Sequence, residues 1–201
     1  MNEQEAWEYL RDEIENYGIY RVPPNRGDML AKAPNQTYRW QFYLRRCLFD
    51  PKFVLTAAQL LVAKLPDKNI QIAACETAGV PLGLAMSAVL GEPMISIKKE
   101  RKVYGLMNFT EGMVTGKPIV VVDDLAGSQS TLKIAVNTLN AFGLATADHY
   151  VALVDKTQYG HAKNYVGSKE LISLFVCEDF ALSWSDYVAK FNRNPQFGTW
   201  Y

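Results

Sequence analysis

Two adjacent aspartates, Asp123 and Asp124, follow an apolar run and precede a loop of small residues, so that the stretch reads IVVVDDLAGSQST. Neighbouring carboxylates repel each other unless a cation or a set of hydroxyls lies between them. Past the acids come Ala126, Gly127, Ser128, Gln129, Ser130 and Thr131. Their hydroxyls, and the unpaired N–H groups at the start of the helix expected there, make an anion site favoured by the helix dipole. Two acids beside such a cradle fit a ligand that carries hydroxyls, phosphate and a divalent metal, and a phosphorylated ribose is such a ligand. For an isolated Asp-Asp pair, an N-cap aspartate with a solvated neighbour is the plainer reading. The chain has neither G-x-x-x-x-G-K-[ST] nor G-x-G-x-x-G, so the triphosphate and dinucleotide fingerprints are missing.

A second chemical signal is cationic. KKERKVYG, from Lys98 to Gly105, is a basic run followed at a distance by Gly112, a pattern that suits a moving lid. Most charge runs are solvated turns. Composition narrows the alternatives. A chain of 201 residues and 22.6 kDa suits one domain with a sizeable core. The formal net charge of zero gives nucleic-acid binding no electrostatic support. No apolar run is long enough to cross a bilayer, and the acidic, amphipathic N-terminus has no signal core. Only two histidines are present, which argues against histidine metal sites and Ser-His triads. The three cysteines, Cys47, Cys75 and Cys177, have no metal-ligand spacing and read as reduced thiols in a cytoplasmic protein.

These residues need elements to hold them. Trp7, Leu10, Ile14 and Tyr17 recur at helical spacing over residues 3–17, with Gly18 as the stop. Residues 20–37 are rich in Pro, Asn and Gly and read as loop. Tyr38–Leu44 reads as a strand, and Asp50-Pro51 opens a helix through Lys64. Strands are expected at Ile70–Cys75, Met94–Ile97, Ile119–Val122, His149–Val154 and Ile172–Val176. Helices are expected at Gly79–Leu90 and Ser130–Phe142. On this reading the acids end the strongest strand. Strands alternating with helices imply a mostly parallel sheet covered on both faces, where ligands bind beyond the carboxyl ends of the strands.

VVVDDLAGSQST resembles the phosphoribosyl diphosphate (PRPP) motif of the type I phosphoribosyltransferases. KKERKVYG with NFTEG at Asn108–Gly112 resembles the mobile catalytic loop of the orotate phosphoribosyltransferases. ETAGVPLG at Glu76–Gly83 resembles their diphosphate-contacting turn, FYLRRCLFDPKFV the segment before their first core helix, and DKTQYG at Asp155–Gly160 their base-side loop. The five occur in the family's order and spacing across roughly residues 38–180.

The resemblance implies an α/β type I phosphoribosyltransferase fold, a mostly parallel central sheet flanked by helices with a small N-terminal hood. It implies one domain: hood and N-terminal helix at 1–45, core at 46–180, and a C-terminal extension at 181–201. The implied activity is transfer of the phosphoribosyl group from PRPP to a nitrogenous base with release of diphosphate, orotate being the first acceptor. The alternatives are another base, or a non-catalytic PRPP- or nucleotide-binding regulator. Asp123 and Asp124 would hold the ribose hydroxyls and, through PRPP, Mg²⁺. Residues 126–131 would hold the phosphate. Lys98, Lys99, Arg101 and Lys102 would face the departing diphosphate, with Lys99, Lys102 and Asp124 as the catalytic set. In the family this loop closes over the neighbouring subunit, which implies a homodimer. Thr77, Ala78 and Gly79 would let backbone approach the diphosphate, although a plain tight turn explains them nearly as well. Lys156 stands where the orotate enzymes use an arginine for the base carboxylate, and it cannot form that planar fork. Two further departures lie in the phosphate loop, where Gln129 replaces a usual glycine and Gly127 a usual threonine. The family's Lys-Ser-Gly-Arg base-side segment is missing. Lys32, Arg39 and Trp40 are possible base contacts in its place, with a structural loop the stronger reading. Trp184, Tyr187 and Phe191 of the extension read as packing.

Overall fold

In the computed structural model, residues 1–30, 36–98, 109–157, 169–182 and 189–190 are described. The chain begins with helix α1, Glu3–Glu13. The Asn2 side chain accepts from the Glu5 N–H, and Glu5 accepts from the Asn2 N–H, both at 2.9 Å. This reciprocal cap satisfies two donors that the helix end leaves open. A π turn, Ile14–Gly18, then delivers the chain into β1, Ile19–Arg21. Short strands β2 (Met29–Leu30), β3 (Gln36–Tyr38) and β4 (Trp40–Phe42) follow.

The reading of residues 20–37 as loop is therefore corrected. β1 pairs antiparallel with β4, with Ile19 opposite Phe42 and Arg21 opposite Trp40. β2 and β3 pair with each other, and β3 also pairs with a strand at Ala189–Lys190, from the far end of the chain. Trp40 and Phe42 are buried and Gln41 between them is exposed, the alternation of a strand with one face on the core.

After a single helical turn, α2 (Arg45–Leu48), comes α3, Pro51–Lys64, which starts where the Asp-Pro pair places it. The Asp50 carboxylate accepts from the Phe53 N–H at 2.8 Å, and Pro51 occupies a first-turn position whose N–H would be unpaired in any case. The central sheet follows: β5 (Gln71–Cys75), β6 (Ile95–Ile97), β7 (Thr110–Gly112), β8 (Ile119–Ala126), β9 (His149–Asp155) and β10 (Glu170–Val176), with α4 (Val80–Leu90) after β5 and α5 (Ser130–Ala141) after β8. The β11 label belongs to the Ala189–Lys190 strand. The sheet runs in the order β10-β9-β8-β5-β6-β7, parallel throughout except for β7.

Both faces of the sheet are covered. Val120 and Val122 pack into one apolar layer with Phe53, Ala57 and Leu61 of α3 and Leu82 and Met86 of α4. Ile119 and Val121 pack into a second layer with Leu132, Ala135, Val136 and Leu139 of α5. Apolar runs buried on both sides are what a parallel strand between helices demands. At the start of β5 the fully buried Gln71 holds neighbouring loops: its amide N–H groups donate to the Pro93 and Met113 carbonyls at 2.9 and 2.6 Å, and its oxygen accepts from the Thr115 N–H at 3.1 Å.

Candidate functional site

β8 does not stop before its acids. It continues through Asp123, Asp124 and Leu125 to Ala126, because the backbone keeps pairing with β9: Asp123 lies opposite Ala152 and Ala126 opposite Asp155. Successive strand side chains leave opposite faces, so the two carboxylates diverge, which relieves the repulsion their adjacency raises. Asp123 is buried and accepts from the Asp124 backbone N–H at 2.9 Å, while Asp124 is half-buried.

The loop after β8 runs straight into α5. Gln129 takes the N-cap position with φ +59°, in the left-handed region, and its side chain makes no cap bond. It is buried, 5% exposed, and its Oε1 has no hydrogen-bond partner. A non-glycine residue in this conformation is strained, and a buried unpaired acceptor adds a desolvation cost. Ser128 and Ser130 are exposed, with their Oγ atoms 3.0 Å apart. Gly127 has negative or extended φ and open space where a Cβ would go, so no steric demand explains glycine there.

The turn after β5 lies against this region. A Cβ on Gly79 would come within 2.8 Å of the Val122 carbonyl oxygen, 2.9 Å of the Cys75 carbonyl oxygen and 3.0 Å of Asp123 Cα. Glycine at 79 thus lets the turn sit directly on the strand that carries the acids, a packing reason beside the approach to diphosphate expected of it. Thr77 is exposed, Ala78 is half-buried, and the Glu76–Thr77 peptide is cis. Glu76, which the sequence reading gave no role, ties the turn to β6: its N–H donates to the Ile97 carbonyl at 2.8 Å and its carboxylate accepts from Ser96 Oγ at 2.5 Å.

The Lys98 backbone N–H donates to the Phe109 carbonyl at 2.9 Å, and the buried ammonium pairs with Glu111 of β7. Lys98 therefore braces the two ends of the basic segment, a role the sequence reading missed. Lys99, Arg101 and Lys102 lie outside the described residues, as do Lys32, Trp184, Tyr187 and Phe191.

Lys156 follows β9, and its backbone N–H donates to the Ala126 carbonyl at 2.8 Å, which joins the base-side loop to the acidic strand. Its side chain is 7% exposed, with the ammonium 5.2 Å from the Trp40 ring centre and 5.7 Å from that of Tyr38. Burial lowers its pKa to about 8, because the charged form loses water, while the nearby Cys177 acts in the opposite sense. The hood thus reaches the site through Trp40 and Tyr38. Trp40 lies in β4 rather than in a loop and is buried. Arg39 is likewise structural: it pairs with Asp28 at 2.5 Å and donates to the Val22 carbonyl at 3.5 Å. None of the three cysteines forms a disulfide, and burial pushes the Cys47 and Cys177 thiols up to about 12, out of thiolate chemistry.

No protein-family model matches the chain. An orotate phosphoribosyltransferase of Nocardioides sp. is 30% identical over 121 residues, covering 59% of this chain and 67% of the relative. One of Halobacterium salinarum is 30% identical over 142 residues, covering 69% and 80%. The crystal structure of the orotate phosphoribosyltransferase of Aeropyrum pernix superimposes with a TM-score of 0.67 over 85% of this chain and 95% of that one, at 19% identity, and so shares the fold.

Proposed function

Since this chain belongs to the orotate phosphoribosyltransferase family, we propose that it transfers the phosphoribosyl group of PRPP to a nitrogenous base, with orotate as the first acceptor. One bond forms, from a ring nitrogen of the base to C1 of the ribose, and one breaks, from C1 to diphosphate. The ring nitrogen gives up its proton to solvent. The carrying observation is the seating of the Gly79 turn on Val122 and Asp123, which brings the diphosphate-type turn, the acidic pair and the hydroxyl loop to one end of the sheet. That end is where parallel α/β sheets bind ligands.

In this reading Asp123 and Asp124 hold the ribose hydroxyls, and residues 126–131 at the start of α5 hold the 5′-phosphate. The turn at 77–79 takes the diphosphate. Lys99 and Lys102 balance the charge that grows on the leaving group, with Asp124 beside the ribose where the oxocarbenium character develops. Lys156 pairs with the carboxylate of orotate. Among the described residues, no group of three His, Cys, Asp or Glu side chains is placed to hold a metal by itself. The carboxylates of Asp123 and Asp124 are hard oxygen donors of the kind Mg²⁺ takes, and the ion is proposed to arrive with PRPP and rest mainly on its oxygens. When bound, Mg²⁺ supplies charge to the diphosphate.

The homodimer belongs to the same proposal. Helix α4, VPLGLAMSAVL, has no charged residue, and Leu84 and Val89 on it are 59% and 38% exposed. A helix apolar on all sides is normally buried, and a second copy would bury it. Among the described residues no helix is long and apolar enough to cross a membrane, and a cytoplasmic location is proposed with the enzyme's soluble substrates.

The test is incubation with PRPP, Mg²⁺ and orotate, uracil, adenine or no base, following diphosphate release. Orotate-dependent release is expected. Release with another base only would reassign the acceptor. Binding of PRPP with no release for any base would favour the regulator, a reading for which the buried, strained Gln129 in the phosphate loop is the specific observation.

A further inference from the structure

The hood sheet of β1 and β4 has two faces. Trp40 and Phe42 turn inward, and Lys156 lies over Trp40 on that side. Gln41 and its partner across the strands, Tyr20, turn the other way. On this outer side is a cleft of about 680 Å³. Among the described residues nine line it, Tyr20, Gln41, Tyr43, Arg26, Arg45 and Arg46 among them, and none of these nine is a carboxylate. The Arg45 and Arg46 guanidiniums lie 5.2 and 5.6 Å from the centre of the Tyr43 ring, and among the described residues neither is in an ion pair. Two exposed guanidiniums gathered on one ring repel each other, and an anion between them would remove that cost.

From this we infer that the outer cleft of the hood binds a nucleoside 5′-phosphate, at a site separate from the acidic strand. Each part of such a ligand has a partner in the cleft. Guanidinium forks match phosphate oxygens in pairs, which a lysine patch does not do. Tyrosine rings offer faces on which a planar base stacks. Gln41 carries both a donor and an acceptor for a base edge. The volume falls within the roughly 300–1,000 Å³ of small-ligand sites. Net neutrality of the whole chain disfavours a long polyanion, which needs an extended basic track rather than one cleft. The inference goes beyond the phosphoribosyl transfer reading and does not depend on it.

The test uses the full chain carrying Asp123→Asn and Asp124→Asn, so that binding at the acidic strand is set aside, with uridine 5′-diphosphate as the probe in a calorimetric titration. One equivalent per chain is expected to bind. Adding Arg45→Ala and Arg46→Ala should weaken it by about tenfold or more, and uridine or inorganic diphosphate alone should each bind about tenfold more weakly than the intact nucleotide. Both arginines are exposed, and circular dichroism checks that the variants fold. Arg45→Lys with Arg46→Lys keeps the charge but loses the forks, and should also bind more weakly than the parent. Four results would overturn the inference: no binding, binding unchanged by either arginine pair, inorganic diphosphate binding as tightly as the nucleotide, or self-association that the arginine changes abolish.

Discussion

Lys156 carries a charge into a nearly dry place between the hood and the sheet, with its pKa lowered to about 8 by that burial. Below that value the amine is a cation, the form proposed to pair with the orotate carboxylate; above it the amine is neutral. The KM for orotate is therefore expected to rise as pH passes through about 8, with the KM for PRPP much less affected. Lys156→Ala should raise the orotate KM by the equivalent of roughly 1.5–3 kcal/mol, the worth of a charge-assisted hydrogen bond, and should flatten that pH dependence. Steady-state kinetics between pH 6.5 and 9.5 on both proteins, a range of roughly 1.5 pH units either side of the shifted value, measures this. A profile unchanged by the substitution would remove Lys156 from the base site. Gln129 is the other informative residue. Gln129→Gly takes away a left-handed strain of about 1 kcal/mol and a buried, unpartnered oxygen from the phosphate loop. PRPP is expected to bind several-fold more tightly, a gain of about 1 kcal/mol at most, and calorimetry reads it. Weaker binding would mean that the amide itself is a phosphate ligand.

At the scale of elements, the turn at 76–79 depends on the absence of one carbon. Gly79→Ala pushes a Cβ to within 3.0 Å of backbone on β5 and β8, where no flexible side-chain end can give way. We expect a loss of about 1–3 kcal/mol in unfolding free energy, as for other overpacked sites, together with weaker PRPP binding. Gly127→Ala, with open space around its Cβ, should be nearly neutral in urea unfolding and serves as the control. The elements themselves were legible to very different degrees. α3 announced both ends, through Asp50-Pro51 and the run to Lys64. β5, β8 and β9 were legible as apolar runs because both their faces are buried. Of the hood strands, β4 fell within the strand expected at Tyr38–Leu44, but β2, β3 and β11 were not legible: they are two or three residues long and pair between residues 29–38 and 189–190, a partnership that local composition does not encode. The extension of β8 through two aspartates was hidden for a related reason, since pairing with β9 holds a backbone whose side chains alone argue for a turn. In the site, the types of the acids and the hydroxyls were legible. The left-handed backbone of Gln129 and the bracing of Lys98 by Glu111 were not, because both depend on the neighbours the fold supplies.

At the scale of the whole molecule, the proposed function makes the site complete only in a dimer, with Lys102 supplied by one subunit and Asp124 by its neighbour. If so, Lys102→Ala and Asp124→Asn chains, each poorly active alone, should recover part of the activity when mixed, because a mixed dimer restores one intact site. At equal mixing about half the dimers are mixed and hold one intact site each, so roughly a quarter of full activity is expected. No recovery after verified subunit exchange would place the lysine and the aspartate of each site in one chain.

Of the proposed contacts, those of Asp123 and Asp124 to PRPP matter most. Calorimetric titration of Mg²⁺-PRPP into the unsubstituted chain and into Asp123→Asn/Asp124→Asn, both checked for folding, tests them directly. Loss of the carboxylate contacts to two ribose hydroxyls is expected to cost about 1.5–3 kcal/mol for each charged hydrogen bond, and so to weaken binding by at least about tenfold. Equal affinity in the two folded proteins would contradict the assignment.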